Sequence, residues 1–265
     1  MTWSAVILVT AVVWAVSVIR SVRLRAFVYS LPLPMTLALV TTGHRVDGAQ
    51  VLGVLGLNLF FVTVALTHRR LRWPIVLADL AGIGVYVALS VGLVAVPIPF
   101  APALATVVAL WTAAMLVLRR RARAAAPAVG EPEAARRDSL PAPVKLVVIF
   151  AGAVLTGLLG ELLRGMVVTF PYAGVLVAVE ARGHLVAFSR HFARNSLALV
   201  GFLTGYHYFQ DVSPAAALVA GWVVFALLSL ALHLPLRRRD GFGADERGRP
   251  DGSARGAGPV RITWR

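Results

Sequence analysis

The chain of 265 residues contains no cysteine, and only 14% of its residues are charged. The absence of cysteine excludes disulfides, thiolate metal sites and cysteine nucleophiles, although it does not identify a compartment. A soluble domain has about a quarter of its residues charged, so the shortage of charge argues against a soluble fold. Acidic residues are especially scarce, with 12 against 26 basic ones.

Long apolar runs occupy the sequence between the few charged clusters. Apolar residues make up 58% of the chain, and the mean hydropathy is +0.79. The runs reach about 17 to 22 residues, which is the length that a helix needs to cross roughly 30 Å of hydrocarbon. We therefore predict an all-α polytopic membrane bundle with about nine transmembrane helices. They are placed at residues 3–19, 26–42, 51–67, 74–95, 100–118, 146–163, 166–180, 196–210 and 213–234.

The placement of the basic residues predicts the orientation. Over alternate loops of this topology, 24 of the 26 Lys and Arg residues fall on one side of the membrane. The positive-inside rule assigns that side to the cytoplasm. We therefore predict a multi-pass protein of the bacterial inner membrane, with its N-terminus outside and its C-terminus in the cytoplasm. The lipid bilayer and its anionic lipid head groups, rather than nucleic acid, are the expected partners of the net charge of +14.

A sequence repeat relates the two halves of the chain. The segment LRAFVYSLP at 24–32 matches LRGMVVTFP at 163–171, at an offset of 139 residues. The same offset pairs His68 with His207 and Gly82 with Gly221. Because one unpaired helix lies between the copies, the second copy would enter the membrane from the opposite face. That is the inverted-repeat arrangement of many secondary transporters.

These patterns divide the chain into five parts. We predict a first four-helix repeat at 1–95, a linker transmembrane helix at 96–118, a basic cytoplasmic linker at 119–145, a second four-helix repeat at 146–236 and a disordered basic cytoplasmic tail at 237–265. The linker and the tail lack the apolar content that packing requires.

Three prolines are predicted to interrupt helices, with at least one in each repeat. They are Pro32 and Pro34 in the helix at 26–42 and Pro171 in the helix at 166–180. A proline inside a helix frees the carbonyl four residues earlier. The freed carbonyls would line a substrate or ion pathway together with Ser30 and Thr169, or these hydroxyls would satisfy a simple kink locally.

Three charged residues lie within or beside the predicted spans. Asp79 would carry a proton or cation, or would pair with an arginine at the same membrane face. Glu161 and Arg164 are three residues apart on one helical face and are predicted to form an ion pair. That pair would belong to the pathway or would be structural at the outer interface.

The common sequence signatures of enzymes are missing. The sequence contains no phosphate-binding loop, no His-Glu-x-x-His segment and no Gly-x-Ser-x-Gly segment. We therefore expect no enzymatic activity, no cofactor and no metal.

Part of the second repeat resembles a known family. Phe170-Pro171 is followed by an apolar helix, by Arg182-Gly183, by basic residues from Arg190 to Arg194 and by aromatic residues over 206–209. Over residues 160–232 these features resemble the GlpM-like family of small four-helix inner-membrane proteins. The resemblance implies a membrane location and a four-helix unit, here as a fused tandem. It implies no substrate and no site residues.

We predict that the protein is a small secondary transporter or permease of a small apolar or lipid-like substrate, because few polar residues lie in the spans. The alternative is a non-transporting scaffold or assembly component of envelope biosynthesis that uses the basic tail. A homo-oligomer or a membrane-protein partner is compatible with either function. A polar cavity between the helices at 26–42 and 166–180 would favour the transporter, and packed leucine and valine there would favour the scaffold.

Overall fold

The computed structural model describes residues 31–94, 96–124, 164–180, 182 and 185–240. Every regular element in these ranges is helical, so the predicted all-α class is confirmed for them. The α-helices are α1 (Leu33–Thr42), α2 (Gly48–Arg70), α3 (Ile75–Val94), α4 (Phe100–Ala124), α5 (Tyr172–Glu180), α6 (Leu185–Phe209) and α7 (Pro214–Asp240). A 3-10 helix, Arg164–Thr169, precedes α5.

Four of these helices are long and apolar enough to cross a membrane. Their candidate spans are Gly48–Arg70, Ile75–Leu93, Phe100–Arg120 and Pro214–His233. Together they make the chain a multi-pass integral membrane protein. The nine predicted spans are not all seen, because the predicted helices at 3–19 and 146–163 lie outside the described residues. In addition, α1 has 10 residues and α5 has 9, which is too short for a complete crossing.

Local sequence signals explain where α1 ends and α2 begins. Gly43 ends α1 in the left-handed conformation, with φ of 62°, which glycine adopts without steric cost. Asp47 then caps α2 by accepting a hydrogen bond from the Ala49 N–H at 2.8 Å. In return, the Gln50 side chain accepts one from the Asp47 N–H at 2.7 Å, which completes a capping box.

Helix α2 is the centre of the described bundle, because it packs against α3, α4, α5, α6 and the 3-10 helix. Small residues allow this close approach. A Cβ added to Gly82 of α3 would lie 2.7 Å from the Phe60 ring and 2.8 Å from Val64 of α2. Between α6 and α7, a Cβ added to Gly205 would lie 2.7 Å from the Ala220 carbonyl oxygen. Close packing through small residues is the usual way in which helices associate in lipid.

The helix predicted at 166–180 is interrupted at Pro171, as expected for a broken helix, and the described part of the segment at 26–42 is helical only after Pro32. Pro32 is the residue immediately before α1, Pro34 lies in its first turn, and Pro171 separates the 3-10 helix from α5. A proline in a first turn costs little because its missing N–H would have no helical partner there.

Three helices extend at one end by six or more residues beyond their predicted bounds. Helix α6 begins at Leu185 rather than at residue 196, so Arg190 and Arg194 lie on a helix and not in a loop. Helix α4 continues to Ala124 and α7 to Asp240, into the segments assigned to the linker and the tail. Arginine is a good helix former and its long side chain reaches the interface, so apolar runs do not mark these ends.

Candidate functional site

A groove of about 840 Å³ runs between α2, α4 and α6. Its walls are mainly apolar, with Val54, Val62 and Leu66 from α2 facing Leu110 from α4 and Val200 from α6. Val62 and Leu66 remain about half exposed, so the groove is open along part of its length. Its volume is in the range of about 300–1,000 Å³ that is typical of small-molecule sites.

Three arginines line one end of this groove, which we call the arginine end. Arg69 and Arg70 lie at the C-terminal end of α2, and Arg190 lies near the N-terminus of α6. All three are exposed, and none of their side chains forms a hydrogen bond or ion pair with another described residue. No acidic side chain is among the described residues that line the groove. The arginine end therefore carries positive charge that the described part of the chain does not neutralise.

The polar groups deeper in the groove bond mostly to backbone. Trp111 of α4 donates from Nε1 to the Ala193 carbonyl of α6 at 2.8 Å, and Ser196 Oγ donates to the same carbonyl at 2.8 Å. Asn58 donates from Nδ2 to the Val54 carbonyl at 2.8 Å. Its Oδ1 is buried and has no hydrogen-bond partner in the described structure.

At the opposite end of the bundle, which we call the closed end, the loop after α1 contacts the loop after α6 and the last turn of α6, which in turn contacts the start of α4. His207 stacks on Phe100 with ring centroids 3.7 Å apart and planes 2° from parallel. The His207 Nδ1 atom lies 2.6 Å from the Val46 carbonyl oxygen. Gln210 donates to that carbonyl at 3.1 Å and accepts from the Val46 N–H at 2.8 Å.

An ion pair between Arg45 and Asp211 joins the same two loops. Because both side chains are largely exposed, the pair contributes little stability by itself. It does show that the connection after α1 and the connection after α6 lie on one face of the bundle. The arginine end lies on the other face.

The predicted proline pathway contains no polar cavity in the part of the chain that the structure describes. Pro32, Pro34 and Pro171 line one cavity. They surround a cavity of only about 60 Å³, and every described residue lining it is apolar, including Leu57 and Phe170. Apolar packing at this position is the outcome that favours a scaffold over a pathway between α1 and α5.

Thr169 lies in a buried hydrogen-bond cluster. Its side chain is fully buried, and its Oγ1 is 2.8 Å from the hydroxyl of Tyr86 on α3. Tyr86 donates to the Met166 carbonyl at 2.9 Å. A Cβ added to Gly53 of α2 would overlap Thr169 Oγ1, so α2 and the 3-10 helix touch closely at this point.

Asp79 is buried on α3 without an ionic partner among the described residues. Its side chain is 3% exposed, and neither carboxylate oxygen has a hydrogen-bond partner. No ion pair with Arg69, Arg70 or Arg72 is formed. Of the other predicted site residues, Arg164 begins the 3-10 helix, whereas Ser30 and Glu161 lie outside the described residues.

Sequence reasoning missed the groove itself. Arg69, Arg70 and Arg190 were counted only as loop charges, and their positions in the chain give no sign that they share one opening. Asn58 was the available signal, because an amide inside an apolar span is costly unless it faces protein or a cavity. Trp111 lies in mid-span and could have marked the same wall.

The comparisons with known proteins leave the site to be interpreted from its geometry. No protein family, no curated protein and no solved structure matches the chain. The resemblance to the GlpM-like family therefore stays a hypothesis. Within the described ranges, no group of three His, Cys, Asp or Glu side chains is placed to hold a metal ion.

Proposed function

We propose that the protein is a small membrane transporter or permease, and that its substrate moves through the groove between α2, α4 and α6. The observation that carries this proposal is the groove of about 840 Å³ with its arginine end on one face and the closed end on the other. A transporter must open its site to one side of the membrane while the other side is shut. The substrate would be apolar or lipid-like, because the groove walls are mainly apolar.

The helix bounds support two related halves. Three pairs of bounds differ by the 139 residues that separate the two sequence repeats. They are the first residues of α1 and α5 (Leu33 and Tyr172), the last residues of α2 and α6 (Arg70 and Phe209), and the first residues of α3 and α7 (Ile75 and Pro214). Helix α4 has no counterpart in this scheme, as expected for the linker helix.

The positions of the connections support an inverted relation between these halves. The connection between α1 and α2 lies at the closed end, where Val46 contacts His207. The equivalent connection in the second half leads into the first turns of α6, where Arg190 lines the arginine end. Under the positive-inside rule, the arginine end would face the cytoplasm of a bacterial inner membrane.

Transport can be tested in vesicles that contain the purified chain. Fluorescent phosphatidylglycerol and phosphatidylcholine would be placed in the bilayer, and loss of fluorescence to an impermeant reductant would measure movement between leaflets. Ala114→Trp fills the groove from α4, whereas Leu227→Trp lies on an exposed face of α7 with 61% of the side chain accessible. We expect the first substitution to stop the flux and the second to preserve it. Flux no faster than in empty vesicles would contradict the proposal.

A scaffold remains the second candidate because of the apolar packing around Pro32 and Pro171. In that function the basic segment after α7 would contact a partner, and no substrate would move. Removing residues 241–265 separates the two functions. A transporter should retain its flux without them, whereas a scaffold should lose its cellular phenotype on truncation and show no flux in either form.

A further inference from the structure

The arginine end of the groove combines uncompensated charge with a geometry suited to an anion. Arg69 and Arg70 from α2 and Arg190 from α6 approach it from two helices, with no described acidic residue in the lining. Guanidinium groups bind phosphate oxygens through paired hydrogen bonds and are less strongly hydrated than ammonium groups. A neutral apolar ligand would not interact with this charge.

The apolar wall beyond the arginines has the length of an acyl chain. Along α2 the lining extends from Arg69 to Val54, which is about 22 Å of helix. This exceeds half of the roughly 30 Å thickness of the hydrocarbon layer. Helices α2 and α4 are both candidate spans, so the wall lies at hydrocarbon depth, and Arg69 and Arg70 are the last residues of the α2 span. Arg190 lies deeper, because the neighbouring Ser189 contacts the Phe61 carbonyl, and its long side chain would have to extend towards the interface.

We propose that the groove binds an anionic phospholipid, with its acyl chains along the apolar wall and its phosphate at Arg69, Arg70 and Arg190. The inference rests on the proposed function in that it names the substrate class of the same groove. Binding can nevertheless be measured without flux. Basic pockets between membrane helices are a known type of site for acidic head groups.

Trp111 provides a direct probe, because its indole lines the groove. The full chain would be placed in phosphatidylcholine vesicles that contain phosphatidylglycerol or phosphatidylcholine with brominated acyl chains. Bromine quenches tryptophan fluorescence on contact, and a Trp111→Phe variant gives the signal of the other tryptophans. The difference between the two proteins reports which lipid touches the groove.

We expect brominated phosphatidylglycerol to quench Trp111 with about tenfold higher apparent affinity than brominated phosphatidylcholine. Replacing Arg69, Arg70 and Arg190 with glutamine should abolish this preference. In the matched control, glutamine replaces three exposed arginines that do not line the groove. They are Arg72, Arg119 and Arg120.

The preference for phosphatidylglycerol should be retained in this control variant. Arg190→Gln alone should also weaken the preference. This single substitution keeps the test valid if the triple variant does not fold.

Three results would overturn the inference: equal quenching by the two lipids, equal loss of preference in the groove and control variants, or no quenching of Trp111 by either lipid. The outcome is separable from the transport proposal. A charge preference without flux would support the lipid-binding site and contradict the transport proposal. Flux without a charge preference would support transport and contradict the assignment of an anionic lipid as the ligand.

Discussion

Replacing Asp79 with leucine should stabilise the folded protein, although the change removes a buried polar side chain. Asp79 is 3% exposed, and both of its carboxylate oxygens lack a partner in the described structure. A carboxylate at the centre of a membrane span costs roughly 2.5–3.5 kcal/mol on insertion scales. Asp79 is the fifth residue of α3, only about 6 Å from its first residue, so the cost there is smaller.

We therefore expect Asp79→Leu to raise the free energy of unfolding by about 1–2 kcal/mol. Asp79→Asn, which keeps the shape, should give a smaller rise. Unfolding in mixed micelles, followed by circular dichroism as denaturing detergent is added, measures both. Asp47→Leu is the matched control, because the Asp47 carboxylate caps α2 and its loss should cost about 0.5–2 kcal/mol.

A fall of more than about 1 kcal/mol for Asp79→Leu would refute this reasoning, since it would show that the carboxylate has a stabilising partner. The variant also tests function. If it folds with normal or higher stability but loses flux, Asp79 acts in transport as a proton or cation carrier. Normal flux would remove Asp79 from the pathway.

Two further predictions use the same unfolding measurement. Gly53→Ala should destabilise the fold by about 1–3 kcal/mol, because the new Cβ would overlap Thr169. Gly84→Ala, which has open space, should be neutral or slightly stabilising, and equal effects at the two sites would contradict the packing. Tyr86→Phe should cost about 1 kcal/mol through the lost hydrogen bonds to Met166 and Thr169, whereas the exposed Tyr208→Phe should cost almost nothing. A Tyr86→Phe variant as stable as the parent would show that the buried cluster contributes nothing.

The long spans could be predicted because each depends on its own composition. The apolar runs at 51–67, 74–95, 100–118 and 213–234 coincide with α2, α3, α4 and α7, apart from a few residues at the ends. Helix α6 was predicted to begin eleven residues too late, because Arg190 and Arg194 interrupt its apolar pattern. Hydropathy detects a span but does not detect a helix that carries its arginines to the interface.

The prolines show how far a local rule reaches. They were predicted to interrupt helices, and the segment at 166–180 is interrupted at Pro171. Pro32 and Pro171 each stand directly before a helix, where the Pro32 carbonyl accepts from the Thr36 N–H and the Pro171 carbonyl accepts from the Val175 N–H. Whether a proline breaks or begins a helix depends on the preceding residues and their packing.

The sequence by itself determined that this chain is an integral membrane helix bundle, because the length and apolar character of a span are properties of one continuous segment. It also contains the repeat at an offset of 139 residues, on which the proposed inverted arrangement of the two halves depends. Only the tertiary structure decided that Arg69, Arg70 and Arg190 share one groove, that the space between the prolines is small and apolar, and that Asp79 has no described partner. These facts depend on which helix faces meet, and contacts between distant segments leave no periodic pattern in the chain that makes them.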